Sequence, residues 1–440
     1  MIDADFLDQA VHVLFASVEI RDLTIRGGFF TDGSPISAGG VFNQGGSVTL
    51  TDTTLSGNGA DLPTGFFGGA INNSGGSVTL MNSTLSGNQA ACGGGIFNFN
   101  GGTVTVVNST LSGNGATLGA GIFNFDGTAT LLNSTLSGNL ADSEGGGILN
   151  AGTLTLANSS VSGNTAGAEG GGLRNFIAGS AELTNSTLSG NSAPSGGGIF
   201  LAGGTVTLTN SIIANSTGSD CFEALGVITD GGHNIDSDGS CSFTEPSSMG
   251  NTDPLLGTLE DNGGPTQTHA LLGGSPAIDM GDDVICAAAP VDGIDQRGVA
   301  RPYGAACDIG AFEDAPECDD GLDNDGDGRT DFDPVTFADP GDESTLPAGV
   351  GDPGCKDPGW HTESPQCQDG DHNDGDGKMD YDAGFFANGF ADPAGPDPQC
   401  LGTPRRAWRD KEKGGRCGLG YELALLVTVL MRLRRRRPFR

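Results

Sequence analysis

The first 217 residues alternate short apolar and polar positions in a pattern that returns about every 25 residues. Aligning the central apolar residue of the string TLSGN and its variants gives steps of 30, 30, 26, 25, 25, 27 and 25 residues, between Ile25, Leu55, Leu85, Leu111, Leu136, Val161, Leu188 and Ile213. A fixed period of this length is typical of repeat architectures. No 3.6-residue period appears, so the pattern predicts no helix in this region.

Each period contains three short segments whose side chains alternate with a period of two. In one repeat they are Gly93–Asn98, Thr103–Val106 and Ser109–Ser112, and Gly-Gly, Asn-Gly or Ser-Gly pairs separate such segments. The alternation turns one face of each segment inward. Three strands per turn, stacked in register, predict an all-β fold, a right-handed single-stranded parallel β-helix of about eight coils at residues 1–217. The first recognisable coil is Val18–Gly27, so the chain opens inside the helix and we expect its N-terminus to be truncated.

The coils align asparagines at three positions. The first ladder is Asn43, Asn73, Asn98, Asn124, Asn150 and Asn175, ended by Leu201; the second is Asn82, Asn108, Asn133, Asn158, Asn185 and Asn210; the third is Asn58, Asn88, Asn114, Asn139, Asn164 and Asn191. Asparagine tolerates left-handed backbone, and stacked amides bond the coils above and below, which predicts a structural role. Every asparagine of the second ladder except Asn210 also reads as an N-x-[ST] glycosylation acceptor, but glycans ~5 Å apart on successive coils would clash.

Two of the repeated segments resemble those of a known family. The segments GGAINN at Gly68–Asn73 and GGGIFN at Gly93–Asn98 are similar to the repeats of polymorphic outer-membrane proteins, which belong to the pectin-lyase-like β-helix superfamily. The resemblance implies the β-helix fold. Because many β-helices are polysaccharide lyases or glycoside hydrolases, a carbohydrate-active enzyme is the alternative function to test.

Few residues of the repeat region suit that chemistry. Between residues 31 and 217 Arg174 is the only basic side chain, and there is no histidine. A glycosidase needs two carboxylates roughly 5–9 Å apart, and the best pair is Glu144 and Glu169, which both precede a GGG string one coil apart. Two stacked glutamates on a solvated turn are more often a charged surface than an acid/base pair. We therefore assign no catalytic residue and keep Glu144 and Glu169 as weak candidates.

Residues 218–315 lack the repeat and contain the strings DSDGSC, NTDPLLG, DNGGPTQTHAL, GSPAIDMGD, DQRGVARP and CDIGAFE in this order. The set resembles the choice-of-anchor Q domain that follows β-helices in bacterial surface proteins. An open β-helix end exposes strand edges and needs a cover, so we expect a capping region. Its charged side chains predict a salt-bridged cap, with an acidic site as the alternative: Arg297 and Arg301 among Asp279, Asp295, Asp308 and Glu313.

Residues 316–400 are acidic, with 22 acidic and 3 basic side chains, and contain two related strings, Cys318–Asp333 and Cys367–Asp382. Carboxylates at alternate positions with a glycine turn surround a hard cation such as Ca²⁺. The strings are similar to thrombospondin type 3 repeats; His372 replaces the first aspartate of the second copy, and a solvated acidic linker is the alternative. The predicted Ca²⁺ ligands are Asp323, Asp325, Asp327, Asp331 and Asp333, then Asp369, Asp371, Asp374, Asp376, Asp380 and Asp382.

Ten cysteines are present, and eight of them bunch between residues 221 and 400. Pairing sequence neighbours predicts the disulfides 221–241, 286–307, 318–355 and 367–400, although spacing alone does not fix the connectivity. A disulfide set predicts an oxidising, extracytoplasmic location. The N-terminus lacks a basic segment and a small-residue cleavage site, which again favours truncation.

Residues 401–440 carry 12 basic and 3 acidic side chains. The stretch Gly414–Arg437 joins a Cys/Gly motif, an apolar segment at Leu423–Met431 and an arginine cluster. The apolar segment is shorter than the ~20 residues of a stable span. The layout resembles C-terminal sorting signals of Gram-negative bacteria, which implies Cys417 as the processing or lipidation position and a membrane partner for the tail. A basic solvated tail is the alternative.

The formal charge of −35 completes the sequence-based prediction. Residues 1–315 hold only five basic side chains, and phosphate binding needs Lys or Arg, so we expect no nucleic-acid partner. The sequence predicts an exported protein of the cell surface, outer membrane or extracellular space, adhesin-like or structural, with Ca²⁺ as its cofactor. Its ligand would be a polysaccharide or a protein of a host or neighbouring cell.

Overall fold

The computed structural model describes residues 1–4, 10–30, 36–60 and 66–315, which belong to the unit Met1–Ala315. These residues form a right-handed parallel β-solenoid of about eight turns, so the predicted fold class is confirmed. Each turn carries three main rows of strands, named below after their sequences, and a shorter fourth row. Both predicted calcium-binding strings and the tail with Cys417 lie outside the described residues.

The TLS row is a parallel sheet of ten strands. In sheet order they are Ile2–Asp3, Thr24–Arg26, Thr54–Ser56, Thr84–Ser86, Thr110–Ser112, Thr135–Ser137, Ser160–Ser162, Thr187–Ser189, Ile212–Ala214 and Ile235–Asp236. The predicted alignment is confirmed, because every central residue from Ile25 to Ile213 pairs with its predicted neighbour.

The IFN and TVT rows form one sheet, because they are joined by the long strands Ile199–Thr209 and Cys221–Asp230. The IFN row contains Val11–Leu14, Val41–Gln44, Ile71–Ser74, Ile96–Phe99, Ile122–Asn124, Ile148–Asn150 and Leu173–Asn175. The TVT row contains Ser17–Arg21, Ser47–Thr51, Ser77–Met81, Thr103–Val107, Thr128–Leu132, Thr153–Ala157 and Ser180–Thr184.

The short fourth row precedes the glycine-rich corner. Its strands are Phe29–Phe30, Gly59–Ala60, Gln89–Cys92, Gly115–Leu118, Leu140–Glu144 and Thr165–Ala166, and the pair Ile36–Ala38 and Phe66–Gly68 lies beside it. Two further strands, Leu256–Glu260 and Thr268–Leu271, form an antiparallel hairpin, and the helix Asp283–Ala287 is capped by Asp282. Among the described residues, no helix is both long and apolar enough to cross a membrane.

The interior of the solenoid is a stack of aliphatic side chains. Alternation in each strand turns residues such as Leu80, Leu111 and Leu131 inward, and all three are fully buried. Each buried side chain of this size contributes roughly 1.5–3 kcal/mol from the hydrophobic effect. The core therefore stabilises the coils one on another.

The three asparagine ladders use two different mechanisms. In the third ladder, Asn88 donates its backbone N–H (3.1 Å) and its Nδ2 (2.9 Å) to Oδ1 of Asn114, one coil on. In the first ladder, Asn98 Nδ2 donates to Oδ1 of Asn124 at 2.9 Å and to the carbonyl of Gly102 at 2.9 Å. These two ladders are the predicted amide stacks.

The second ladder holds a left-handed corner. Its six asparagines have φ between 45° and 49°. Asparagine tolerates this conformation better than other residues with a Cβ, which explains the residue type. Asn158 and Asn185 of this ladder are buried, which also argues against glycosylation there.

The solenoid extends beyond the coils that the repeat pattern marks. Ile2–Asp3 pairs with Thr24–Arg26 and Val11–Leu14 pairs with Val41–Gln44, ahead of the first recognisable coil. Past residue 217, Cys221–Asp230 and Ile235–Asp236 continue the ladders. The disulfides Cys221–Cys241 and Cys286–Cys307 are both present as predicted.

The capping region covers more than the end of the solenoid. Cys241 and Phe243 pack at the end of the core, as a cover would. The following residues fold back along the outer face of the TLS row, where Gln296 Oε1 accepts from Ser160 Oγ at 2.7 Å and Gln296 Nε2 donates to Thr135 Oγ1 at 2.8 Å. The outward residues of Ser160–Ser162 are buried in consequence, whereas those of Thr84–Ser86 are partly exposed. The expectation of an end cap alone is thus incomplete.

Candidate functional site

Glu144 and Glu169 lie one above the other at the outer corner before the IFN row. A parallel bridge joins their backbones, and Glu144 also pairs with Leu118, while Glu169 pairs with Ser195. The sequence-based prediction that they are ladder neighbours is confirmed.

Arg174 lies between the two carboxylates. Its Nη1 is 3.2 Å from Oε2 of Glu144, and its Nε donates to Oε2 of Glu169 at 2.9 Å. The arginine side chain is only 12% exposed, and its guanidinium carbon lies 5.1 Å from the ring centroid of Phe176. Charge-assisted bonds and the ring face both favour the cation in this position.

A tight glycine corner brings these three side chains together. Gly170 has a φ of +66°, and a Cβ there would lie 2.6 Å from Cβ of Arg174. Gly145 is placed in the same way against Leu149. Because glycine has no Cβ, the side chain of Arg174 can pack over the corner at Gly170. This packing brings Arg174 next to Glu169.

This arrangement engages the pair of carboxylates that the sequence put forward as catalytic candidates. General acid catalysis would require one of them to be protonated near neutral pH. Here both carboxylates form ion pairs with one guanidinium instead. The arrangement is that of a bridged surface triad. Sequence reasoning did not pair Arg174 with the glutamates, although its place just before ladder residue Asn175 put it on the outer face of its strand.

An apolar cluster occupies the same corner in the preceding coils. The Phe97 and Phe99 rings stack with centroids 4.7 Å apart, and the Phe97 and Phe123 centroids are 5.2 Å apart. Cys92 joins them and is buried, which raises the pKa of its thiol to about 11. A thiol with so high a pKa is a poor nucleophile, so Cys92 serves packing.

The capping region contains buried ion pairs, as predicted. Arg297 Nε lies 2.9 Å from Oδ2 of Asp295, and Arg301 Nε lies 3.5 Å from Oε2 of Glu313, with all four side chains almost fully buried. Burial raises the pKa of Glu313 to about 7 and that of Asp308 to about 6. Both arginines also donate to main-chain carbonyls, Arg301 to those of Asp308 and Gly310. These contacts tie the chain segments of the cap together.

Three carboxylates of the last coil lie close enough to share a cation. Ligand oxygens of Asp220, Asp236 and Asp238 are within 4.8 Å of one another, and the first two residues are buried. Burial raises the pKa of both Asp220 and Asp236. Their oxygens already accept hydrogen bonds, for example from Ser237 N at 2.8 Å and Cys241 N at 3.1 Å, so the cluster organises the turn. The string DSDGSC, which contains Asp236 and Asp238, was the signal for this cluster in the sequence. The sequence-based prediction assigned these carboxylates no role.

Comparisons of the chain with protein-family models, with characterised proteins and with solved structures found no match.

Proposed function

We propose that the protein is an exported surface module that binds an external ligand through its β-solenoid without transforming it, in the manner of an adhesin. The observation that carries this proposal is the bridge from Arg174 to both Glu144 and Glu169. It ion-pairs the two carboxylates that are the best candidates for acid/base chemistry in the repeat region.

The shallow depressions on the surface support a binding role. The two best-formed depressions of the described residues measure about 200 Å³ and about 110 Å³, and the larger lies between Thr84, Thr110 and the segment 261–267. Pockets that enclose small molecules usually measure ~300–1,000 Å³. A long, shallow surface suits an extended ligand better than a small substrate.

Export is supported by the two disulfides, because such bonds persist in oxidising compartments. The acidic residues 316–400 would then bind Ca²⁺ as a stiffened stalk, and residues 401–440 would direct anchoring with Cys417 as the processed position. The support for both is the fixed Asp/Gly spacing and the Cys–apolar–Arg order of the sequence.

The test is incubation of the full chain with a panel of neutral and acidic polysaccharides. We expect retention on at least one immobilised polymer or on whole cells, with no release of reducing sugar or unsaturated product. Product release that disappears in Glu144→Gln, with binding kept, would contradict the proposal and establish the alternative, a polysaccharide lyase or glycoside hydrolase.

Calcium is tested separately by calorimetric titration of the full chain and of a variant with Asp323, Asp325 and Asp327 changed to Asn. Extracellular modules often bind at ~10⁻⁴–10⁻³ M, so millimolar Ca²⁺ should give heat in the natural chain and less heat in the variant. Equal heats for the natural chain and the variant, or no heat from either, would contradict the proposal that residues 316–400 form a calcium-binding stalk.

A further inference from the structure

The outer surface of the TVT row is a regular array of hydroxyl groups. We call it the hydroxyl face, formed by the strands Ser47–Thr51, Ser77–Met81, Thr103–Val107, Thr128–Leu132 and Thr153–Ala157. Its first column is Ser47, Ser77, Thr103, Thr128 and Thr153, and its second column is Thr49, Thr79, Thr105, Thr130 and Thr155. All ten residues carry a hydroxyl group.

The array is in register. Each residue pairs one-to-one with its neighbour across all five strands, with no bulge. Hydroxyls therefore repeat about 4.8 Å apart along the solenoid and about 6.6 Å apart across it, two residues along each strand. The first column is mostly exposed and the second is partly exposed.

The first asparagine ladder holds this array in place. Asn73 Nδ2 donates to the carbonyl of Thr103 at 3.2 Å, Asn98 Nδ2 to that of Thr128 at 3.2 Å, and Asn124 Nδ2 to that of Thr153 at 3.0 Å. Each bond fixes the first hydroxyl residue of a strand from the coil before it. Because threonine is also stiff at χ1, the face is organised before any ligand arrives.

The face is uncharged on a strongly acidic molecule. Residues 1–315 contain 30 acidic side chains (55 − 25) and five basic ones (20 − 15), yet no outward position of the five strands is charged. Glu19 and Glu182 occupy the second column only beyond its two ends. Such a surface fits an uncharged partner.

Size and composition narrow the choice of partner. Five coils by five residues cover on the order of 400 Å², about half of the ~800 Å² per partner of a stable protein interface, which disfavours a second copy of the chain. None of the outward side chains is aromatic; the third column is Thr51, Met81, Val107, Leu132 and Ala157, so the face offers no platform on which a sugar ring would stack.

We propose that the hydroxyl face binds the ordered water lattice of ice. On the prism faces of ice, rows of oxygen atoms repeat along two perpendicular directions. Their spacings are close to those of the hydroxyl groups on this face, which are about 4.8 Å along the solenoid and about 6.6 Å across it. A rigid array makes many weak hydroxyl contacts at once, while the threonine methyl groups and the third column exclude disordered water. This inference names the ligand class of the proposed surface module and so rests on that function.

The experiment freezes a dilute solution of the full chain slowly and measures the fraction of protein taken into the ice, together with thermal hysteresis. Thr130→Lys puts a long charged side chain at the centre of the face, and Leu140→Lys is the matched control on the fourth row, where Leu140 is 55% exposed. Circular dichroism and melting curves check that both variants fold.

We expect enrichment of the natural chain and of Leu140→Lys in ice, and a several-fold loss of both signals in Thr130→Lys. Exclusion of the natural chain from ice, or equal activity of Thr130→Lys, would overturn the proposal. The same preparations are applied to the polysaccharide panel. Glycan binding without ice binding rejects the ice lattice but keeps the surface module, whereas failure of both rejects both.

Discussion

Replacing one asparagine of the third ladder should destabilise the solenoid far more than replacing one of the second ladder in the same coil. Asn114 is fully buried, and its side chain takes part in four hydrogen bonds. Nδ2 donates to the carbonyl of Leu85 and to Oδ1 of Asn139, and Oδ1 accepts from the backbone N–H and Nδ2 of Asn88. Asn114→Ala removes all four bonds.

The size of the effect follows from those bonds. Each contributes about 1 kcal/mol net, and the two donors of Asn88 that lose their acceptor cost more because they stay buried, so we expect a loss of about 4–6 kcal/mol. The control, Asn108→Ala, alters a partly exposed residue at a φ of 49°. Alanine in that left-handed conformation costs roughly 1–2 kcal/mol.

The assay combines urea denaturation, followed by circular dichroism, with hydrogen exchange measured by mass spectrometry. Solenoids can open coil by coil, so a single unfolding free energy is less informative than local exchange. Asn114→Ala should speed exchange in its own coil and the two flanking coils. If its urea midpoint falls no further than that of Asn108→Ala, the amide stack is not what holds the coils together.

Three further predictions concern other contacts. Arg174→Met should cost about 1–3 kcal/mol, because it leaves two stacked carboxylates without their cation; an unchanged urea midpoint would contradict this. Burial lowers the pKa of His269, whose Nε2 lies 2.9 Å from Ser162 Oγ. The stability of the fold should therefore decrease as the pH drops through the ordinary histidine value of 6.5, because only the unfolded chain gains the proton there. His269→Gln should remove this part of the pH dependence of the melting temperature. Replacing Cys221 and Cys241 by serine should cost ~3 kcal/mol, and faster hydrogen exchange should be confined to the last coil.

The solenoid could be predicted because its information is periodic. One string, TLSGN, aligned eight apolar positions, and each of them pairs as the alignment required. Alternation then assigned the inward residues, and the period assigned the ladders. The strands Ile2–Asp3 and Val11–Leu14 were missed because their sequences do not carry the repeat string, although they add to the same sheets.

The triad and the cap were harder to predict for a different reason. Arg174 reaches Glu144 across a corner that depends on the conformation of Gly170, so the contact follows from backbone geometry more than from spacing. The folding back of residues after 250 onto the TLS row depends on non-periodic contacts, such as those of Gln296, to which no sequence period points.

The outward side chains of this solenoid fall into two groups: those whose residue type is explained by contacts within the protein, and those whose residue type is not. The core and the two stacked asparagine ladders stabilise the coils from inside and at the corners, so outward side chains are free to vary. The outward hydroxyls of the TLS row at Ser160 and Thr187 are explained by the cap, which accepts or donates hydrogen bonds there. No described residue outside the TVT row is hydrogen-bonded to the side-chain hydroxyls of Thr105 and Thr130, and their neighbours repeat the same chemistry for five coils. Regularity that stacking does not require is the better guide to a ligand, and the hydroxyl face shows it over five coils.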